Sequence, residues 1–346
     1  MNKVKIGFIG CGFMGQLAHL SNYSLSENCE IVAVCDSKIK QAEMVAARYG
    51  VRKTYGDHHQ LLADPEIEAV VASQPFANHV NLVPDILQAK KHLLTEKPLC
   101  IYPENGEKLA RCAAENGVLH MVGYHKRSDP ATEYAVDVMQ RWKASGEMGK
   151  LKYVRITMPP GDWIGGAKGA VFSDEPGRDF SGEAPGSGFD KAAHDQLVEF
   201  VNYYIHQVNY MRLMLGEDYK LTFVDRSQLM LAVESESGVC GVVEMSPYAT
   251  TDDWQEQVFV AFEHGWIQIE LPAPLAAQHA GKVTIFENNK KQGVAISPRL
   301  PNVSAMRNQA ERFLKAVRGV EKAPCLSDEA VKDLAFSVEY INCIRK

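Results

Sequence analysis

The sequence predicts an α/β protein in two parts: a doubly wound parallel sheet of the Rossmann type over residues 1–125, then an α+β domain over residues 126–346. Three observations predict it. The first 125 residues alternate short apolar runs with helix-like segments, the pattern of parallel β-α-β units. The later chain instead strings strand-like stretches between helices. A length of 346 residues corresponds to roughly two domains of about 150 residues each.

Element by element, apolar runs at Lys3–Ile9, Glu30–Cys35, Ala69–Ala72, His92–Thr95 and Val118–Gly123 read as strands. Met14–Leu25, Ile39–Tyr49, Asn78–Ala89 and Pro103–Asn116 read as the intervening helices. Right-handed crossovers then wind the sheet on both faces. Residues 126–148 read as a helix and Lys150–Met158 as a strand. A loop insertion follows at 159–189, rich in Gly, Pro, Asp and Ser around Trp163, Phe172 and Phe180. Loops of that length are functional lids, binding loops or disordered segments; the aromatics and isolated charges favour a lid. Residues 190–215 read as one long helix stopped by Gly216. Strand-like stretches come next at Leu221–Val233, Gly238–Met245, Gln257–Phe262, Trp266–Leu271 and Lys282–Phe286. Helices at Ser304–Arg318 and Asp328–Ile344 end the chain.

Composition excludes several classes. Hydrophobic residues make up 46% and charged residues 23%, ordinary values that exclude disorder, collagen and a wholly coiled-coil chain. A net charge of −6 lacks the basic footprint of nucleic-acid binding. No run of 18 apolar residues predicts a membrane span, and the glycine-rich start predicts no signal peptide. The eight cysteines show no C-x-x-C pair, so free thiols in a reducing cytoplasm are expected. His58-His59, His194 and His206 lack the spacing of metal ligands, and no metal is expected.

Gly10-Cys11-Gly12-Phe13-Met14-Gly15 fits G-x-G-x-x-G, and it stands between an expected strand and an expected helix. Gly10 permits the tight turn, Gly12 lets a pyrophosphate approach the backbone, and Gly15 lets helix and strand pack closely. The helix N-terminus offers free N–H groups to phosphate. Asp36, 21 residues beyond Gly15, is placed to accept ribose hydroxyls and to repel a 2′-phosphate. NAD is therefore the expected cofactor, ahead of NADP. The strand His92–Thr95 runs into Glu96-Lys97-Pro98. Ligands bind beyond the carboxyl ends of such strands, so Lys97 points at the nicotinamide end, its backbone fixed by proline.

These residues, together with Ser73-Gln74-Pro75, Asn78-His79, Gly123-Tyr124-His125-Lys126-Arg127 and the helix Asn308-Gln309-Ala310-Glu311-Arg312-Phe313, resemble the Gfo/Idh/MocA oxidoreductases along essentially the whole chain. The resemblance implies a second domain built on a large open, mainly antiparallel sheet. It also implies that this sheet joins subunits, giving a homodimer or homotetramer. It implies that Ser73, Gln74, Asn78 and His79 line the cofactor cleft with Glu96, and that Lys97 lies beside the nicotinamide and the reacting hydroxyl.

Glu199, Asn202, His206 and Asn209 lie at i, i+3, i+7 and i+10, one face of a helix. A wet helix face would also explain them, but buried polar groups need partners, and a polyhydroxylated substrate would supply them. In the resembling family an acid commonly stands four residues before the histidine that matches His206, and another three after it. Here those positions hold Asn202 and Asn209, which can orient an imidazole without raising its basicity.

The reaction expected is oxidation of a secondary ring alcohol or its reverse, with Lys97 polarising the oxygen and His206 taking the proton. Tyr124, His125, Arg127 and Trp163 are the further candidates for contact with a carbohydrate or polyol, with Asp162, Lys168 and Arg178 behind them. Two alternatives stay open. One is NAD-dependent glycoside cleavage through a transient 3-keto intermediate with no net redox; the other is a non-catalytic NAD-binding regulator.

Overall fold

The structure is a computed structural model that describes residues 2–177, 180–245, 248–288 and 292–346. The chain divides into two compact units. One comprises Met1–Tyr124, Lys168–Asn202 and Gln309–Ala335; the other comprises His125–Ala167, Tyr203–Asn308 and Phe336–Lys346. The first division falls one residue before the boundary read from the sequence. Two later stretches group with the first unit, although the sequence reading assigns everything beyond 125 to the second.

In the first unit, β1 (Val4–Ile9), β2 (Cys29–Cys35), β3 (Lys53–Tyr55), β4 (Ala69–Ala72), β5 (His92–Thr95) and β6 (His120–Val122) form one sheet, ordered β3-β2-β1-β4-β5-β6. Every pairing is parallel. The order reverses between β1 and β4, which is where such sheets open a ligand crevice. Ile6, Phe8, Val34, Val71 and Leu94 are fully buried, and Phe313 and Leu314 of helix Ala305–Val317 join the same core. Each such side chain contributes about 1.5–3 kcal/mol by leaving water. Helices Ile39–Tyr49 and Pro103–Asn116 have the bounds read from the sequence. β3 and the short helix His58–Leu62 were not expected. β3 is a three-residue, half-buried edge strand with no apolar run to signal it.

In the second unit, β7 (Leu151–Thr157), β8 (Tyr219–Val224), β9 (Met230–Ser235), β10 (Cys240–Glu244), β11 (Glu256–Phe262), β12 (Gly265–Leu271), β13 (Lys282–Asn288) and β14 (Gly293–Ile296) form one sheet. Its order is β14-β13-β12-β11-β7-β10-β9-β8. Only the β7–β10 pairing is parallel. Helices Pro130–Ser145 and Ile205–Leu215 cover one face, over Val154, Ile156, Val258, Val260, Ile267 and Ile269. The stretch read as one strand over Leu221–Val233 is a hairpin. The Asp225 carboxylate accepts the amides of Ser227, Leu229 and Met230 and reverses the chain there.

Two helix expectations are corrected. Residues 126–148 are a 3-10 turn, His125–Ser128, followed by helix Pro130–Ser145. Asp129 caps the latter through the Ala131 amide, and Pro130 occupies its first turn. Residues 190–215 are two helices, Lys191–Tyr203 and Ile205–Leu215, broken at Tyr204 (φ −98°, ψ −1°). The run Tyr203-Tyr204-Ile205 consists of aromatic and β-branched residues that lose side-chain freedom in a helix. The Tyr204 hydroxyl donates instead to the Met245 carbonyl. The end at Gly216 is as expected, with φ +77°. Among the described residues no helix is long and apolar enough to cross a membrane.

Candidate active site and cofactor cleft

The glycine motif follows β1 and forms a cradle whose three glycines are needed for different reasons. Gly10 has φ +95°, and a Cβ there would stand 2.8 Å from the Ser73 carbonyl oxygen. A Cβ on Gly15 would meet the Gly10 oxygen at 2.1 Å, an impossible contact. Gly12 has open space around its missing side chain, so the backbone is accessible there. Phe13 and Met14 are half-buried where the helix starts, and its next turn, Gly15–Leu20, is π-helical. The Asp36 carboxylate accepts the Cys11 amide at 2.8 Å and the Lys38 amide at 3.0 Å, tying the glycine loop to the end of β2.

Beyond these strand ends lies a cavity of about 370 Å³, lined by Asp36, Ser37, Gln74 and Asn78 among others. The residues fit a dinucleotide: an open backbone for phosphate, a carboxylate at the ribose position, and room beside both. Ser73 lies at the end of β4 against Gly10, its hydroxyl buried and without a hydrogen-bond partner. His79 differs from expectation in kind. It is fully buried, and its Nδ1 donates to the Leu99 carbonyl at 2.9 Å. Burial pushes its pKa down, leaving a neutral ring that braces the turn after Lys97.

Glu96 and Lys97 leave β5 together. Glu96 is 8% exposed. Its Oε1 is 2.7 Å from His19 Nε2, and its Oε2 accepts the Lys97 amide. Burial alone would raise this carboxyl, but the hydrogen bond and charge of His19, aided by Lys97, outweigh it and hold the group below the usual range. The Lys97 ammonium donates to the Asn202 carbonyl at 2.6 Å, and the Lys97–Pro98 peptide is cis. His19, which sequence reasoning missed, is thus the brace beneath the lysine. Its only signal is a histidine one turn after Gly15.

In the second unit the structure gathers His125, Arg127, His206 and Asn209. The rings of His125 and His206 meet edge to face, with centroids 4.7 Å apart. Arg127 Nε donates to Asn209 Oδ1 at 2.6 Å, so the residue that stands in an acid's place is engaged by a guanidinium. Gln207 donates to Glu256 Oε1 at 2.6 Å, and Lys126 forms an ion pair with the same carboxylate in full burial. Lys126, Gln207 and Glu256 were also missed; a lysine beside two named candidates carries no pattern of its own.

Other candidates fall elsewhere. Glu199 and Asn202 are exposed on the helix before the break and belong to the first unit, so the four-residue polar stripe is not one helical face. Tyr124 is buried in the first unit. Trp163 is 38% exposed, its carbonyl accepting the Leu275 amide, while Asp162 caps the amides of Ile164 and Gly165. Lys168 is exposed, and Arg178 lies outside the described residues. Asp57, His58 and His59 bring ligating atoms within 4.8 Å of one another, a grouping that ligand spacing does not reveal. His58 is already bonded to Asp85.

Comparison with known proteins now bears on this geometry. The family described as "Oxidoreductase family, NAD-binding Rossmann fold" matches residues 4–124. The Rossmann part of the chain, residues 4–124, thus matches the Gfo/Idh/MocA oxidoreductases. The chain is 26% identical to myo-inositol 2-dehydrogenase of Thermotoga maritima over 246 residues, 70% of this chain and 63% of that protein. It is 28% identical to scyllo-inositol 2-dehydrogenase (NAD(+)) of Bacillus subtilis over 249 residues, 71% and 68% of the two chains. Other curated relatives are matched over about half of their length. The crystal structure of an NAD binding oxidoreductase from Klebsiella pneumoniae superposes with a TM-score of 0.77 at 19% identity, covering 99% of this chain and 98% of that one. The chain therefore has the expected fold: a Rossmann sheet and a second, mainly antiparallel sheet.

Proposed function

We propose that this protein is an NAD-dependent oxidoreductase that oxidises a secondary hydroxyl of a sugar, glycoside or cyclitol, or reduces the corresponding ketone. The observation that carries the reading is Lys97: an ammonium at the carboxyl end of β5, next to a buried carboxylate held below its usual range, in the same unit as the glycine cradle. The names of the inositol dehydrogenases among the relatives support a polyhydroxylated ring as substrate.

Gly10, Gly12 and Gly15, with Phe13 and Met14 opening the helix, hold the pyrophosphate. Asp36 uses two lone pairs on backbone amides and keeps about two for ribose hydroxyls; its charge favours NAD over NADP. Ser73, Gln74, Asn78 and Glu96 complete the cleft. The nicotinamide, when bound, supplies the hydride acceptor. Lys97 polarises the substrate oxygen and stabilises the alkoxide that develops on it. The Asn202 carbonyl positions that lysine. His206 takes the hydroxyl proton, with His125 limiting how its ring turns and Arg127 fixing Asn209 behind it. Eight free thiols suit a reducing cytoplasm. The half-buried rings of β11–β13 support a homodimer or homotetramer formed through the sheet.

The test is Lys97→Met and His206→Gln, assayed on a panel of cyclitols and sugars with NADH binding followed by fluorescence. Each variant binds NADH within about twofold of wild type while turnover falls at least about 100-fold. Near-normal turnover removes that residue from the mechanism. A wild type that reduces no NAD across the panel overturns the reading.

A further inference from the structure

The described part of the insertion from Lys168 onward, residues 168–177 and 180–189, belongs to the first unit, and the chemistry above makes no use of it. Two buried glutamines tie its start to the glycine loop. Gln16 Nε2 donates to both the Val171 carbonyl and the Cys11 carbonyl at 2.8 Å, while its Oε1 accepts the Val171 amide at 2.9 Å. Gln41 Nε2 donates to the Val171 carbonyl at 2.7 Å and to the Cys11 carbonyl at 3.0 Å; its Oε1 accepts the Ser173 amide at 2.7 Å. Gln16 and Gln41 are 0% and 4% exposed.

The far end is held as firmly. Glu183, itself buried, accepts the amides of Ile101 and Tyr102 and the Asn105 side chain at 2.7–3.1 Å. Between the anchors, the Ser181 carbonyl accepts Asn81 Nδ2 at 3.1 Å. Phe180 and Ser181 line the same cavity as Asp36, Ser37, His58 and Leu82. Phe180 is 48% exposed. A large apolar ring held from both sides at the wall of a polar cavity, on the side of the ribose-binding acid, suits a flat heteroaromatic partner.

We propose that this segment is the outer wall of the adenosine pocket and that Phe180 packs against the adenine base. The inference rests on the dinucleotide reading of the cleft and adds a contact from far outside the Rossmann motif. Base–aromatic stacking is measurable by alanine substitution, which sets the test.

Equilibrium titration of wild type and Phe180→Ala with NAD, ADP and nicotinamide mononucleotide reads it directly, without turnover. Phe180→Ala weakens NAD and ADP by about 10-fold each and leaves nicotinamide mononucleotide unchanged; Phe180→Tyr restores both. Unchanged ADP affinity in Phe180→Ala overturns the inference, as does an equal loss for all three ligands, which would mark a general structural effect. A wild type that binds neither NAD nor NADP nor ADP overturns the cofactor reading as well. A wild type that binds ADP, beside a Phe180→Ala variant that binds it equally, overturns the Phe180 contact alone.

Discussion

His120 shows how one buried ring ties folding to pH. It opens β6 fully buried, its Nε2 3.1 Å from Thr95 Oγ1 and its Nδ1 without a hydrogen-bond partner. Burial, helped by nearby His79, pushes its pKa down to about 3, against about 6.5 in an unfolded chain. The native ring therefore binds fewer protons than the unfolded one, and acid favours unfolding. Its contribution is complete above pH 6.5 and is lost as pH falls from there toward 3. His120→Asn carries no such proton, so its urea midpoint changes less between pH 7 and pH 4.5 than that of wild type. Parallel pH profiles would show that His120 is not the sensor. At this scale the glycine cradle was legible, because each glycine answers a local steric demand. The role of His19 was not, since a histidine in a helix carries no mark of the carboxylate it will meet 77 residues later.

Among the elements, the insertion changed most between sequence and structure. Its aromatics and isolated charges read as a lid, whereas the part from Lys168 onward is pinned to the first unit at both ends. Glu183 is one pin. Neutralising it replaces charge-assisted bonds, each contributing about 1.5–3 kcal/mol, with weaker ones. In Glu183→Gln the Ile101 and Tyr102 amides exchange hydrogen at least about 10-fold faster while the melting temperature shifts little; unchanged protection would show that the anchor lies elsewhere. The helix break at Tyr204 is a second change at this level. Apolar periodicity runs smoothly through 190–215 and masks the weak local signal of Tyr203-Tyr204-Ile205, so the parting of Asn202 and His206 was not read. The strands with long apolar runs were legible, while β3 and the Asp225 turn were not, because short edge strands and side-chain-capped turns leave weak patterns.

For the molecule as a whole, the question is what the second sheet does with its other face. Trp266 and Phe286 stack with centroids 5.8 Å apart at 14°, and Phe259 lies 5.8 Å from Trp266. All three are half-buried and sit opposite the face covered by helices. Such a row of rings on an open sheet suits self-association. Wild type sediments as a dimer or larger species, and Trp266→Glu sediments as a monomer with an unchanged circular dichroism spectrum. A wild-type monomer, or an oligomer indifferent to the substitution, excludes this face.

The sequence by itself determined the parallel sheet, the cradle, Asp36 at the end of β2 and Lys97 at the end of β5. Each depends on residues within about one strand–turn–helix unit, where period and steric demand are written locally. Only the tertiary structure decided that Val171 meets Gln16, that Glu256 meets Lys126, and that Arg127 takes Asn209. Those bonds join residues 82 to 155 positions apart. A buried polar group must find a partner, but the partner is chosen by proximity after folding, and no local pattern records that choice.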